Sequence, residues 1–223
     1  MNKNITEETY IKFHQLINNG DEEEAIKLLK ECGESFDVNY EYKQRVPIFS
    51  AINNRMYDLY DEIVNHPTFD NKTDDGFGET FLDSLLYMRG SSELPKTEND
   101  NVNLDRMIRS ILNNERLDFN ATNINNDTAI NVACEYPNLL WVVEELAKKE
   151  SVNSNVINDF DRTALTTAIH WKNIEAIKIL ATRKDVIVRS TDLEEANKVG
   201  IDLTEFGFEI AEKFKKEYEY AMT

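Results

Sequence analysis

Three histidines and two cysteines are the side chains best suited to bind a metal or to act as base or nucleophile, and their spacing argues for neither. His14, His66 and His170 lie far apart, and none belongs to a His-Glu-x-x-His pair. Cys32 and Cys134 sit singly within helical patterns, which fits small buried thiols in a reducing compartment rather than a disulfide or a Cys-x-x-Cys site. The chain has no phosphate-cradling glycine loop and no Gly-x-Ser-x-Gly elbow. His66 precedes Pro67 at the end of a helical run, where a turn role is expected, and His170 stands beside Trp171 on a first helix. Acid pairs such as Asp74-Asp75 follow from the abundance of acids. The expectation is therefore no catalysis, no metal and no cofactor, with an enzyme using scattered carboxylates kept only as a third alternative.

Charge excludes further classes. With 42 acidic against 25 basic residues the net charge is −17, which repels phosphate backbones and anionic membrane surfaces. Residues 21 to 41 carry 8 acids and 2 bases (−6), and residues 57 to 101 carry 11 and 3 (−8), so the acidity is concentrated early. That excess serves either a solvated surface or a face for a basic partner. The opening MNKNITEETYIKFHQL has no apolar h-region and no stretch has the length of a membrane span, which predicts a cytoplasmic protein. Its 223 residues, 41% hydrophobic, suffice for a substantial core.

The elements that hold these residues repeat. Thr163-Ala164-Leu165-Thr166-Thr167-Ala168 is respelled at Thr128-Ala129-Ile130-Asn131-Val132-Ala133 and at Val46-Pro47-Ile48-Phe49-Ser50-Ala51, with a degraded copy at Thr80 to Leu85. The starts at 46, 80, 128 and 163 are 34, 48 and 35 residues apart. The long interval is accounted for by Arg89 to Asn103 (RGSSELPKTENDNVN), read as an inserted loop. A second marker, Asp37-Val38-Asn39, Asp118-Phe119-Asn120 and Ser151-Val152-Asn153, follows helical runs in the same frame. A Thr at a helix start accepts from first-turn amides, Pro is preorganised at the next position, and the sixth-position Ala lets two helices approach closely. Leu59 with Ile63, Val143 with Leu146, and Ile177 with Leu180 supply the apolar stripe of a second helix. Asp74 to Gly78, Asn123 to Asp127 and Asn158 to Arg162 are turn clusters tolerant of positive φ.

On these residues, and on Gly20 to Gly33 (GDEEEAIKLLKECG), the chain resembles the ankyrin-repeat family over roughly residues 8 to 190. No copy has the family's His after the apolar position; recurrence carries the resemblance. It implies an all-α solenoid of stacked helix pairs with short hairpin or turn fingers. Units fall near 8–38, 39–72, 73–120 with the insertion at 89–103, 121–155 and 156–190. A helical cap at 191–223 follows, its second run extending from Leu203 to Ala221.

The resemblance also implies where a partner binds, across finger tips and the exposed side of first helices. The matching tip positions are Tyr40, Glu41, Tyr42, Asp74, Asp75, Phe77, Asn125, Asp159 and Phe160; the first-helix positions are Asn53, Tyr87, Glu135, Tyr136, His170 and Trp171. Aromatic residues rimmed by acids have the composition of a binding hot spot, although Tyr136 and Trp171 could instead pack under a neighbouring helix. Two functions are carried: a non-catalytic protein-binding module, and an acidic inhibitor, such as an immunity or phage anti-defence protein, plugging the basic cleft of a nucleic-acid enzyme. The expected partner is another protein, a basic one being the sharper case, with no direct nucleic acid and no membrane.

Overall fold

The computed structural model describes residues 5–70, 78–94 and 96–210. Among the described residues eleven α-helices occur and no strand: α1 Glu7–Asn19, α2 Glu22–Cys32, α3 Pro47–Asn53, α4 Tyr57–Asn65, α5 Phe81–Gly90, α6 Glu98–Leu112, α7 Ala129–Glu135, α8 Leu140–Ala147, α9 Ala164–His170, α10 Ile174–Ala181 and α11 Ser190–Val199. None is long and apolar enough to cross a membrane. Contacts divide the chain into two compact units, Met1–Leu85 with Pro95–Asp118, and Leu86–Leu94 with Phe119–Thr223.

Each unit pairs its helices in the same way. In the first, α1 packs on α2 and α3 on α4, while α1 meets α3 and the second helices α2, α4 and α6 form a row. In the second, α7 pairs with α8 and α9 with α10; the first helices α7, α9 and α11 make one layer and α8 and α10 another. The predicted small positions Ala51, Ala133 and Ala168 are buried, as are Leu59, Ile63, Val143, Leu146, Ile177 and Leu180. Burying such a side chain contributes roughly 1.5–3 kcal/mol, and a lone pair of short helices has too little of it. Stacking supplies the remainder.

The Thr that opens a first helix bonds a polar residue three positions on. The Thr80 hydroxyl donates to Asp83 Oδ2 at 2.6 Å, that of Thr128 to Asn131 Oδ1 at 3.1 Å, and Thr163 Oγ1 accepts from the Thr166 amide at 3.3 Å. The fourth position of the repeat is thus a capping partner rather than a neutral one.

The second marker turns out to be a clamp. Asn39 donates through Nδ2 to the Thr68 carbonyl at 2.6 Å and accepts through Oδ1 from the Asp70 amide at 3.0 Å. Asn120 holds Ser151 O at 2.8 Å and Asn153 N at 2.7 Å, and Asn155 holds Asp185 O and Ile187 N, each at 2.8 Å. The third copy is therefore Asn153-Ser154-Asn155, two residues later than Ser151-Val152-Asn153. The spacing becomes 155 − 120 = 35, equal to that between the Thr starts, 163 − 128 = 35. A side-chain amide that both donates and accepts fastens one repeat to the next, and each bond contributes about 1 kcal/mol or less where water competes. Asn155→Ala is expected to cost about 1 kcal/mol in urea unfolding, with Asn155→Asp recovering little because the carboxylate cannot donate to Asp185 O.

Arginines fasten the second helices. Arg183, its side chain 8% exposed, donates to the carbonyls of Ala147, Lys149 and Val152 at 2.7, 3.2 and 2.7 Å and pairs with Asp185 at 2.7 Å. Arg116 does the same in the first unit, reaching the carbonyls of Asn65, His66 and Pro67 at the end of α4. Both bond carbonyls at and just beyond the end of the preceding second helix and place a cation at the negative end of its dipole.

Two expectations are corrected. The stretch 89–103 is not all loop: α5 continues to Gly90, and α6 begins at Glu98 on a Thr97/Asp100 capping box whose two bonds are 3.1 and 2.9 Å. The tail does not continue as one helix from Leu203. A 3-10 turn, Leu203–Phe206, ends at Gly207 with φ 85°, because the backbone there turns left-handed, the conformation glycine best accepts. Residues 211–221 of that run lie outside the described residues. Helix α11 ends as predicted at Gly200, φ 76°. It docks on α9 through Asp192, fully buried, whose carboxylate accepts from the Thr166 hydroxyl and, at 2.7 Å, from the Arg189 amide. Burial pushes this carboxyl up, and the two donors oppose the shift.

Candidate functional site

The predicted positions in the first unit are partly absorbed by its own packing. Tyr40 is not at a tip: it stacks on Tyr10 with ring centroids 4.2 Å apart, and its carbonyl meets His14 Nε2 at 2.8 Å. His14 is buried, which pulls its pKa below the usual value against that hydrogen bond. Tyr42 is half-buried near His14, and the tip itself is Lys43-Gln44, φ 52° and 59°, closed by Tyr42–Arg45 backbone bonds of 3.0 and 3.1 Å. Two residues at positive φ make a tight turn of the hairpin type, which Lys-Gln does not advertise. Glu41 and Asn53 are exposed. Asp74, Asp75 and Phe77 lie outside the described residues.

His66 takes the predicted turn role: Nδ1 lies 2.9 Å from Thr68 Oγ1 and Nε2 3.3 Å from the Gly33 carbonyl. Both cysteines are buried, and burial pushes the Cys134 thiol far up, which removes it as a nucleophile near neutral pH. Among the described residues no group of three or more His, Cys, Asp or Glu is placed to hold a metal.

In the second unit the positions form a strip. Its fingers share one geometry: Asn123 N donates to Asp127 O at 3.0 Å and Asn158 N to Arg162 O at 2.9 Å, with Asn126 and Asp161 at φ 60° and 58°. The fingers are tied together, Asp159 N donating to Asn125 O at 2.9 Å, and Asn126 and Asn158 donating at 2.6 Å to Asp159 and Asp127. Asn125 and Asp159 are therefore occupied with each other's finger. Phe160 carries no such tie and is 62% exposed.

Below the fingers, the ends of the first helices bring Tyr87, Glu135 and Tyr136, and His170 and Trp171 to equivalent positions of consecutive repeats. Trp171 is 52% exposed and Tyr87 46% exposed, so neither packs under a neighbour. The Trp171 and His170 rings meet edge to face at 5.5 Å. His170 Nδ1 lies 2.7 Å from Glu195 Oε1, and an Arg162 guanidinium nitrogen lies 3.2 Å from Nε2. The same guanidinium nitrogen lies 3.3 Å from Nδ1, so it sits over the ring rather than in line with either ring nitrogen, and Nδ1–H is left to donate to Glu195. Hydrogen bonding by His170 holds the Glu195 carboxyl below its usual range.

Glu135 is half-buried, and burial first, then Asp127, raises its carboxyl above the usual range, with Arg162 and His170 opposing. Tyr136 is pushed up to about 12 by burial, by Glu135, and by Tyr87 and Glu93. Arg162, Glu195 and Glu93 were missed by the sequence reading. Arg162 closes its finger, but nothing local marks Glu195 or Glu93, which arrive from α11 and from the segment after α5. Chemically the strip offers exposed aromatic surface with ionisable groups already hydrogen-bonded to one another. That arrangement suits recognition, since the groups do not converge on a point where a reacting atom could sit.

Among curated proteins none matches this sequence. The family model described as ankyrin repeats does match, in three copies over residues 99–192.

Proposed function

We infer from the ankyrin repeats over residues 99–192 that the chain is a protein–protein interaction module. We propose that this chain is a non-catalytic binder whose partner lies on the strip formed by Phe160, Trp171, Tyr87 and Tyr136, and that Glu41 and Asn53 are contact positions of the first unit taken by itself. The observation that carries this reading is the exposure of Trp171 and Phe160, at 52% and 62%, in repeats whose other large apolar side chains on these first helices are buried. Rigid aromatic groups presented on helix ends bury large area on binding at little entropic cost. The tied fingers support it by holding Phe160 on a fixed loop.

The inhibitor reading draws less support. Its motive was the acidity of residues 57 to 101, yet Asp58 and Asp61 pair with Arg106, Glu62 with Lys30, and Asp100 with Arg55, so part of that charge is neutralised within the fold. Steep salt dependence of partner binding would restore it.

The test is capture of the partner by the wild-type chain and by a Trp171→Ala, Phe160→Ala variant. The variant is expected to bind at least about tenfold more weakly, a hot-spot loss, with melting temperature shifted by only about 2 °C. Equal affinity of the two chains would remove the surface. Asp159 is left unchanged because its loss would loosen both fingers.

A further inference from the structure

The row of fingers in the second unit has an open end. Its members are joined edge to edge, Asp159 N donating to Asn125 O at 2.9 Å, and the row reaches the segment before α11 through Arg189, which donates to Asp161 O and Oδ1 at 2.8 and 2.9 Å. That segment, Asp185-Val186-Ile187-Val188-Arg189, is held from one side. The Asn155 amide donates to Asp185 O and accepts from Ile187 N, each at 2.8 Å. An amide bonded to the carbonyl of one residue and the N–H two residues on stands where the peptide of a neighbouring strand would, so the residue between, Val186, turns its own N–H and C=O the other way. The chain is extended at Arg189, φ −102° and ψ 168°, and alternation turns Val188 the same way as Val186.

Among the described residues none donates to the Val186 or Val188 carbonyl and none accepts from their N–H groups. Ile187, between them, is 62% exposed. A run of β-branched residues with two donors and two acceptors along one edge is a feature that proteins ordinarily cover, charge or bend away. Its complement is a second extended backbone, since a helix has already spent its own backbone groups. The flanks set the charge of that backbone's side chains. Residues 183–189 carry three bases and one acid in a chain of net charge −17. Arg183 and Arg189 pair with Asp185 and Asp161, whereas the exposed Lys184 has no ion pair among the described residues. A second copy of the chain would set the same cations against these, while a carboxylate would answer Lys184.

We propose that the Val186–Val188 edge receives an extended segment of a protein partner, paired main chain to main chain, with an apolar residue of that segment across from Ile187 and a carboxylate side chain on Lys184. Main-chain bonds supply the register and the two side-chain contacts supply the preference. None of these residues belongs to the aromatic strip, so the inference stands apart from it.

The experiment selects a random dodecapeptide display library on the full chain carrying Trp171→Ala with Phe160→Ala, so that the strip supplies no binders, and measures synthetic versions of the selected peptides by calorimetry. N-methylation of alternate peptide residues in one register is expected to cost about tenfold or more in affinity, because it removes two N–H donors, and in the other register less than about twofold. Equal sensitivity of the two registers overturns the proposal, as does recovery of no peptide. Ile187→Lys, an exposed change, should weaken the peptides about tenfold, and unchanged affinity there also overturns it. Lys184→Glu should weaken them about threefold to tenfold, an effect that vanishes when the peptide's acid is replaced by its amide. Without that coupling the carboxylate is wrong. A wild-type chain that dimerises with rising concentration in sedimentation, and is returned to monomer by Ile187→Lys, would put a second copy on the edge and overturn the choice of partner.

Discussion

Arg183→Ala is expected to destabilise the last repeats by about 3 kcal/mol, because three carbonyls lose a charged donor in a place where the replaced side chain was only 8% exposed. Water can reach these acceptors only in part once the guanidinium is gone, so the loss exceeds that of an ordinary surface ion pair. The contribution of Asp185 is secondary: its carboxyl is held below the usual range by Arg183, but its side chain is half-exposed. Lysine at 183 is expected to recover less than half, since an ammonium lacks the planar fork that spans Ala147, Lys149 and Val152. Hydrogen exchange supplies the reading, as the Lys148 and Lys149 amides bond to Glu144 O and Leu146 O at the end of α8. Their protection should drop by about two orders of magnitude, the factor corresponding to that energy. Unchanged protection would show that the carbonyls are satisfied without the arginine. Arg116, exposed at the corresponding place in the first unit, is expected to give a smaller loss.

Gly90→Ala is expected to cost about 1–3 kcal/mol, and the sign of its effect should depend on Tyr136. Gly90 closes α5, and an alanine at a helical position is ordinarily favourable by up to about 1 kcal/mol. Here the new methyl would meet the Tyr136 ring at 2.4 Å, so the ring must lift and take with it the Asn138 amide, which lies 3.2 Å from both the Arg89 and the Gly90 carbonyls. In a Tyr136→Ala background the three closest obstructing atoms are gone, and the same substitution should become neutral or stabilising. Urea unfolding of the four chains of this cycle measures the coupling directly. A cost that persists without Tyr136 would mean that the glycine serves the backbone rather than the ring.

These two sites show where local reading stops. The capping threonines, the small sixth positions and the apolar stripes of the second helices are legible because each acts within one turn or one helix pair, where periodicity and side-chain size decide the outcome. The turn at Asn123 to Asp127 was legible for the same reason, since asparagine's tolerance of φ 60° is a property of the residue. Lys43-Gln44, also at positive φ, carried no such signature, and Tyr40 was placed at a tip it does not occupy. The helix start at Glu98 was hidden by the surrounding polar residues, although Thr97-x-x-Asp100 is a capping signal. The two-residue offset of the third Asn marker could not be read from spelling, because Asn153 and Asn155 are chemically identical and only their partners tell them apart.

By itself, then, the sequence determined a row of short helix pairs that must stack, because each pair repeats about every 35 residues and is too small to cover its own apolar face. It also marked candidate contact positions. Only the tertiary structure decided among them: Tyr40 packs on Tyr10, Asn125 and Asp159 bond finger to finger, Tyr136 rests on a glycine 46 positions away (136 − 90), and Trp171 and Phe160 remain open. The physical reason is distance along the chain. Helix formation is settled among residues three or four apart, whereas the exposure of a helix-end side chain depends on what the next repeat places above it.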